Sequence, residues 1–361
     1  MLDRRTFHKT IGLGTGAAAA SLAGLPGVAR AATGGTPADR FGHTAGRAPV
    51  IPDLAPGAHT SFPRLKRIGA GVLDIGYAEL GPAHGPVVVC LHGWPYDIHS
   101  YVDVAPLLAD AGYRVLVPYL RGHGTTRFRS ARTVRNAQQA AVALDILAFL
   151  DALRIDRAVL AGFDWGSRTA AIVAALWPER VKALVAVSGY LVTDRARQRD
   201  PLPPAAERPW WYQYYFATER GAKAMENKDY RQQLTRLVWD EVSPTWDFDD
   251  ATFARTSAAF ENPDYAAIVV HNYRWRLGLA GGERGYDRYE DRLATGPVVT
   301  VPALTLDAER DPFTANNGNG SGYRDKFTGP YAHRLLTGIG HNVPQEAPTA
   351  FAQAVVDVDH F

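Results

Sequence analysis

Cysteine is nearly absent. Cys90 is the single one among 361 residues, so the chain cannot close an internal disulfide. No Cys/His cluster has the spacing of a zinc site. Cys90 lies in an apolar run, where a small buried hydrophobe is expected rather than a reactive thiol. An excess of one charge is also lacking. The formal net charge is +2, and residues 1–31 hold Arg4, Arg5, Lys9 and Arg30 against Asp3, which leaves about −1 for the rest. A near-neutral body gives no electrostatic reason to expect a nucleic-acid partner. Internal repeats and long low-complexity tracts are missing too. What is there is ordinary for a soluble globular protein: 46% hydrophobic and 21% charged residues. The length fits one large domain, or one domain with a substantial insertion.

Arg4-Arg5-Thr6-Phe7 precedes the uncharged, Gly/Ala-rich stretch 11–29, and Ala29-Arg30-Ala31 fits the small-x-small pattern of a signal-peptidase site. Together these resemble a bacterial twin-arginine export signal, which implies folding before translocation, cleavage, and a periplasmic or secreted product. Five glycines and a proline make 11–29 a poor membrane span, so no stable membrane partner is expected after cleavage. Residues 32–60 are rich in Gly, Pro, Ala and Thr without apolar periodicity, and read as an extended segment on or off the domain surface.

Short runs at 86–91, 114–118, 158–162, 183–187 and 301–306 look like strands buried on both faces. Helix-length segments at 102–111, 134–153 and 167–177 lie between them, and 345–356 reads as a closing helix. Strands alternating with helices predict an α/β fold with a mostly parallel sheet flanked by helices. The alternation fails from about 191 to 296, where aromatics cluster at helical spacing. The simplest account is a helical insertion between two strands of one sheet. The division is therefore 61–190 and 297–361 for the core and 191–296 for the insertion.

After the strand at 158–162 comes Gly162-Phe163-Asp164-Trp165-Gly166, the small-x-nucleophile-x-small pattern of a nucleophile elbow. Glycines flank the apex because strand and helix approach closely there. An aspartate at the apex would attack carbon and form an alkyl ester, as an epoxide or alkyl halide allows. The bland alternative is an Asp that caps the following helix.

His92-Gly93-Trp94-Pro95 follows the strand at 86–91, and Gly338-Ile339-Gly340-His341-Asn342 follows a strand-like run near the C-terminus. An HGWP motif, a G-x-D-W-G elbow and a late Gly-His resemble the epoxide hydrolases of the α/β-hydrolase family, over roughly residues 65–361. The resemblance implies an α/β-hydrolase fold with a helical cap at 191–296. It implies an oxyanion hole from the N–H groups of Trp94 and Trp165, supported by His92 and Gly93, and a cis bond before Pro95. It makes His341 the base that deprotonates the hydrolytic water. The acid that orients His341 falls in Asp307-Ala308-Glu309-Arg310-Asp311-Pro312. The family pattern G-x-x-D-P selects Asp311, with Glu309 and then Asp307 as alternatives, because Ala308 departs from the glycine.

The resemblance also implies two cap phenols that donate to the epoxide oxygen. Tyr212 in Tyr212-Gln213-Tyr214-Tyr215-Phe216 and Tyr273 in His271-Asn272-Tyr273-Arg274 stand at the matching positions. Tyr214 is the fallback for the first, and Asn272 replaces a common tryptophan. No metal or organic cofactor is implied, and the expected substrate is a small apolar molecule. The rival is a dehalogenase, which shares the aspartate and the following tryptophan. It commonly has Asn at the position of Trp94; a fluoroacetate enzyme would use arginines near the elbow, of which only Arg168 matches. A serine esterase does not fit an apex of Asp164, since Ser167 falls beyond Gly166. A non-catalytic binding protein would leave a gap among the triad positions, and none is seen.

Overall fold

The computed structural model describes residues 48–313 and 319–361. The export signal expected at 1–31 lies outside the described residues, as does the segment 32–47.

Nine strands form one sheet among the described residues. They are β1 (Leu65–Ala70), β2 (Leu73–Leu80), β3 (Val87–Leu91), β4 (Arg114–Pro118), β5 (Arg127–Phe128), β6 (Ala158–Gly162), β7 (Val181–Val187), β8 (Ala303–Ala308) and β9 (Tyr331–Leu336). The order is β1-β2-β4-β3-β6-β7-β8-β9, with β5 beside β2. From β4 to β9 all pairings are parallel; β1, β2 and β5 add antiparallel pairings at one edge. The five parallel-strand runs read from sequence are present, with ends moved by two residues at most. β3, β6 and β8 are almost wholly buried, which explains their unbroken apolar character.

The antiparallel edge was not foreseen. β1 has five of six residues partly or fully exposed, so it lacks the apolar run that marks the central strands.

Helices α1 (Val104–Asp110), α2 (Gln139–Ala152) and α3 (Trp165–Leu176) connect the first strands. The helix expected from 134 starts only at Gln139: Gln138 is extended, and its N–H donates to Asn136 Oδ1 at 3.1 Å in a turn of its own. Between β7 and β8 come α4 (Pro204–Glu207), α5 (Trp211–Ala217), α6 (Glu219–Glu226), α7 (Lys228–Val242), α8 (Asp250–Ser257), α9 (Tyr265–Arg276) and α10 (Asp287–Ala294). No strand interrupts them. Side-chain caps start three of these helices: Thr218, Asn227 and Asp249 each accept from a backbone N–H in the first turn. Each such cap is worth about 1 kcal/mol. The closing helix is two: α11 (Val343–Glu346) and α12 (Pro348–Val358), broken at Ala347 before Pro348.

The described part of the 32–60 segment lies on the domain surface. Ile51 N donates to Gln353 Oε1 at 2.8 Å and Leu54 N to Thr349 Oγ1 at 2.9 Å. Gly57 N and His59 N both donate to the Asp103 carboxylate at 2.7 Å. Cys90 is fully buried, and burial pushes its thiol pKa up. No helix among the described residues is long and apolar enough to cross a membrane.

Candidate active site

Four parallel strands end on one edge of the sheet, and their following turns carry the chemistry. Gly93 and Trp94 follow β3, Asp164 follows β6, Asp311 follows β8 and His341 follows β9. Side chains from distant parts of the sequence converge there because parallel strands all point their carboxyl ends the same way.

Asp164 sits at φ 51°, ψ −120°, between β6 and α3, and its side chain makes no capping bond to the helix. The capping alternative therefore fails. A non-glycine residue in this conformation carries roughly 1–3 kcal/mol of strain, tolerated where it positions a group. The glycines around it are sterically required. A Cβ on Gly166 would lie 1.9 Å from the Leu91 carbonyl oxygen, and one on Gly162 would lie 2.4 Å from the Gly166 carbonyl carbon. A Cβ on Gly93 would meet Asp164 Cβ at 2.5 Å.

The two Asp164 oxygens have different surroundings. Oδ1 accepts the Trp94 backbone N–H at 2.8 Å, while Oδ2 faces His341 Nε2 at 3.8 Å. The Trp165 N–H opens α3, where backbone donors lack helical partners. The Trp94–Pro95 bond is cis. His92 holds the turn: its Nδ1 lies 2.9 Å from the Gly93 carbonyl and its Nε2 accepts Leu120 N at 3.0 Å. Burial, then the neighbouring His123, push its pKa well below the ordinary value, so it is a neutral strut.

His341 Nδ1 contacts Asp311 Oδ2 at 2.8 Å. Burial alone would lower the imidazole pKa, but Asp311, then Asp164 and Glu346, outweigh it and raise it to about 9. The other acids are occupied elsewhere. Asp307 accepts from Tyr323 Oη at 2.8 Å and contacts His333 Nε2 at 3.1 Å. Glu309 accepts Gly338 N at 2.9 Å. Asp311 is the carboxylate on His341.

Tyr212 on α5 and Tyr273 on α9 are both buried, with rings 5.3 Å apart. Trp94 packs on both, at 4.9 and 5.3 Å. Burial raises both phenol pKa values; the Asp164 charge adds to this in each, and for Tyr212 so does Tyr273. Tyr214, the fallback, is 39% exposed. Asn272 accepts from Arg168 at 3.0 Å, behind Trp165 and Tyr273. Arg168 is buried without a carboxylate partner among the described residues, and burial, then the charge of Arg276, bring its pKa down to about 10.

Asp164 and His341 line a cavity of about 280 Å³ together with Ser188, Tyr190, Trp210 and Phe313. Several supporting residues escaped the sequence reading. Ser243 Oγ donates to Glu346 Oε1 at 2.7 Å and accepts His341 N at 3.0 Å. Glu346 also accepts Gly340 N and Asn342 N, clamping the His341 turn. Trp239 of α7 donates from its indole to the Pro95 carbonyl at 2.8 Å, tying the inserted helices to the Trp94 turn. Ser188, at φ 61° at the end of β7, lies 3.5 Å from Asp311. None belongs to a motif; each is defined only by its place in three dimensions.

A family model for the alpha/beta hydrolase fold matches residues 86–347. The chain belongs to the α/β-hydrolase family. It is 34% identical over 305 residues to an epoxide hydrolase from Caballeronia sordidicola, covering 75% of this chain and 87% of that protein. Epoxide hydrolase A from Mycobacterium tuberculosis is 27% identical over 309 residues, 77% of this chain and 92% of its own. A candidate epoxide hydrolase from Klebsiella pneumoniae has a crystal structure similar at TM-score 0.80 and 55% identity, covering 83% of this chain and 98% of that one. Within the family, the chain resembles the epoxide hydrolases.

Proposed function

We propose that the protein opens an epoxide to a vicinal diol through an ester formed on Asp164. One observation carries this reading: a strained, uncapped carboxylate with one oxygen fixed by Trp94 N–H and the other turned to an imidazole backed by Asp311.

Asp164 Oδ2 attacks an epoxide carbon and the C–O bond breaks, leaving an alkoxide. Tyr212 or Tyr273 donates a proton to it, and the resulting phenolate recovers one from solvent. Esterification removes the Asp164 charge, one of the causes that hold a proton on His341. The imidazole releases that proton to solvent, matching the one the phenolate took up, and becomes the base for water attack on the ester carbonyl. The carbonyl oxygen is Oδ1, already bonded to Trp94 N–H, which then stabilises the developing oxyanion with the Trp165 N–H. Breakdown releases the diol and regenerates Asp164 and a protonated His341. The residues supply every step without a cofactor.

The direct test uses His341→Gln with styrene oxide. The expected result is a stable adduct whose mass gain equals the substrate and maps to the peptide holding Asp164. Full activity in Asp164→Ala would defeat the proposal. Halide release from 1,2-dibromoethane or fluoroacetate, without diol formation, would favour the dehalogenase reading. Residues 1–31 support export by the twin-arginine route, tested by fractionating cells that express Arg4→Lys, Arg5→Lys chains.

A further inference from the structure

A second cavity, of about 580 Å³, shares Tyr190, Leu191, Gly322 and Tyr323 with the one that holds Asp164 and His341. Its character is different. Arg197, Arg276 and Lys326 line it, against Asp194 and Asp325. Asp194 is spent on Arg197, with the carboxylate 3.5 Å from the guanidinium. Arg276 and Lys326 are left against Asp325, a formal excess of one positive charge.

Arg276 is the unusual member. It follows Tyr273 by three residues on α9, so the two side chains share a helix face. Its guanidinium carbon lies 5.2 Å from the Trp210 ring centre and 5.9 Å from that of Tyr273. Trp210 lines the inner cavity. Arg276 therefore sits at the junction of the two spaces. Its Nε is buried with no hydrogen-bond partner, and no carboxylate among the described residues pairs with it. Stacking on Trp210 holds the guanidinium in place but uses none of its donors. Buried donors normally have partners, and an unpaired guanidinium half out of water is costly unless something else satisfies it. Two other arginines of the inserted helices do have carboxylates: Arg231, whose Nε is likewise unpartnered, pairs with Glu261, and Arg236 with Asp240 and Asp250.

We propose that Arg276 binds a carboxylate carried by the substrate, so that the protein acts on epoxides of monoanionic acids. The claim rests on the epoxide reading above. The ring lies at Asp164, the chain passes Tyr190 and Tyr323, and the carboxylate meets Arg276, with Lys326 as the more distant charge. A guanidinium fork suits a carboxylate, and a net charge of one suits a monoanion better than a phosphate dianion. The substrate body remains apolar, in keeping with the aromatic walls.

Two measurements test this. The first compares kcat/KM for 6,7-epoxyheptanoate and its methyl ester. A charge-assisted hydrogen bond corresponds to roughly 10- to 100-fold, so the acid is expected to be preferred by that factor, chiefly through KM. Arg276→Gln should bring the ratio near one, with Arg276→Lys in between. If Arg276 instead only tunes Tyr273, acid and ester will fall together and the ratio will persist, which overturns the proposal. The second needs no turnover: quenching of tryptophan fluorescence by heptanoate and by heptanamide. Heptanoate binding that is at least tenfold tighter, and lost in Arg276→Gln, is expected. Equal binding of the two overturns the carboxylate site, even if styrene oxide is opened normally. Arg276-dependent heptanoate binding in a protein that opens no epoxide would uphold the anion site and reject the epoxide reading.

Discussion

His341 stands between two carboxylates, with Nδ1 2.8 Å from Asp311 and Nε2 3.8 Å from Asp164. The shorter contact fixes the ring and its Nδ1 proton, and the longer one leaves Nε2 facing the Asp164 carboxyl. Asp311→Asn removes the charge and the orientation together. The ester-hydrolysis step is expected to slow by roughly 10²- to 10⁴-fold, the usual range for a disabled general base. Single-turnover mass spectrometry would show the adduct forming and persisting. Glu309→Gln should leave that step unchanged, since Glu309 bonds Gly338 N and not His341.

The raised His341 pKa, about 9, makes the imidazole cationic at neutral pH in the resting protein. Burial opposes this; Asp311 and then Asp164 cause it. Replacing Asp164 by Asn should lower the imidazole pKa below about 9, and replacing Asp311 should lower it further, as read from the ring-proton NMR shift against pH. An unmoved titration in Asp164→Asn would remove the electrostatic step from the mechanism. Stability follows with a defined sign. Because the folded value exceeds the ordinary 6.5, the stabilisation is complete below about pH 6.5 and is lost as pH rises through about 9. Denaturation midpoints measured across that window should fall more for the wild type than for His341→Gln.

Much of this arrangement was legible in the chain because short motifs dictate it. Gly162 and Gly166 announce a turn that no other residue fits, and Asp311 stands before Pro312. The central strands are read easily because both faces are buried. The edge strand β1 was missed for the opposite reason, since exposed residues replace the apolar run, while in its neighbour β2 Asp74, Gly76 and Glu79 interrupt the apolar positions. Ser243 and Glu346 were also missed. Ser243 follows a helix of the insertion and Glu346 ends a one-turn helix, and nothing local says that they meet behind His341.

That meeting is testable. Glu346 accepts from Ser243 Oγ, Gly340 N and Asn342 N, and is largely buried. Burial raises its pKa, while Ser243 and the two backbone N–H groups hold it down. Glu346→Gln turns one acceptor oxygen into a donor facing other donors. A loss of about 1–3 kcal/mol is expected from the unsatisfied N–H groups, measured by urea unfolding. Since Glu346 acts on His341, through the turn it clamps and through its charge, kcat should fall while KM stays near its original value. A variant with lowered stability and intact kcat would make the clamp purely structural.

Glycine requirements differ sharply by position. A methyl group at Gly166 would overlap the Leu91 carbonyl at 1.9 Å, backbone against backbone, so Gly166→Ala should prevent soluble folding or displace α3. Gly338 has φ +76° with open space around it, so Gly338→Ala carries only the left-handed penalty of roughly 1–2 kcal/mol. Circular dichroism and urea midpoints of the two variants separate steric from conformational cost.

The two phenols offer the last discrimination. Tyr212 and Tyr273 reach the site from different helices, with rings 5.3 Å apart and Trp94 against both. Removing either hydroxyl leaves one donor for the opening ring; removing both leaves an alkoxide to form without a proton in a buried space. Tyr212→Phe and Tyr273→Phe should each reduce the alkylation rate, and the double variant should lose it by more than the product of the two single losses. Stopped-flow quenching of Trp94 and Trp165 would report that rate apart from ester hydrolysis. If only Tyr273→Phe acts, Tyr212 is a packing residue and one phenol is the acid. Should neither matter, the proton comes from elsewhere and these hydroxyls have no part in ring opening.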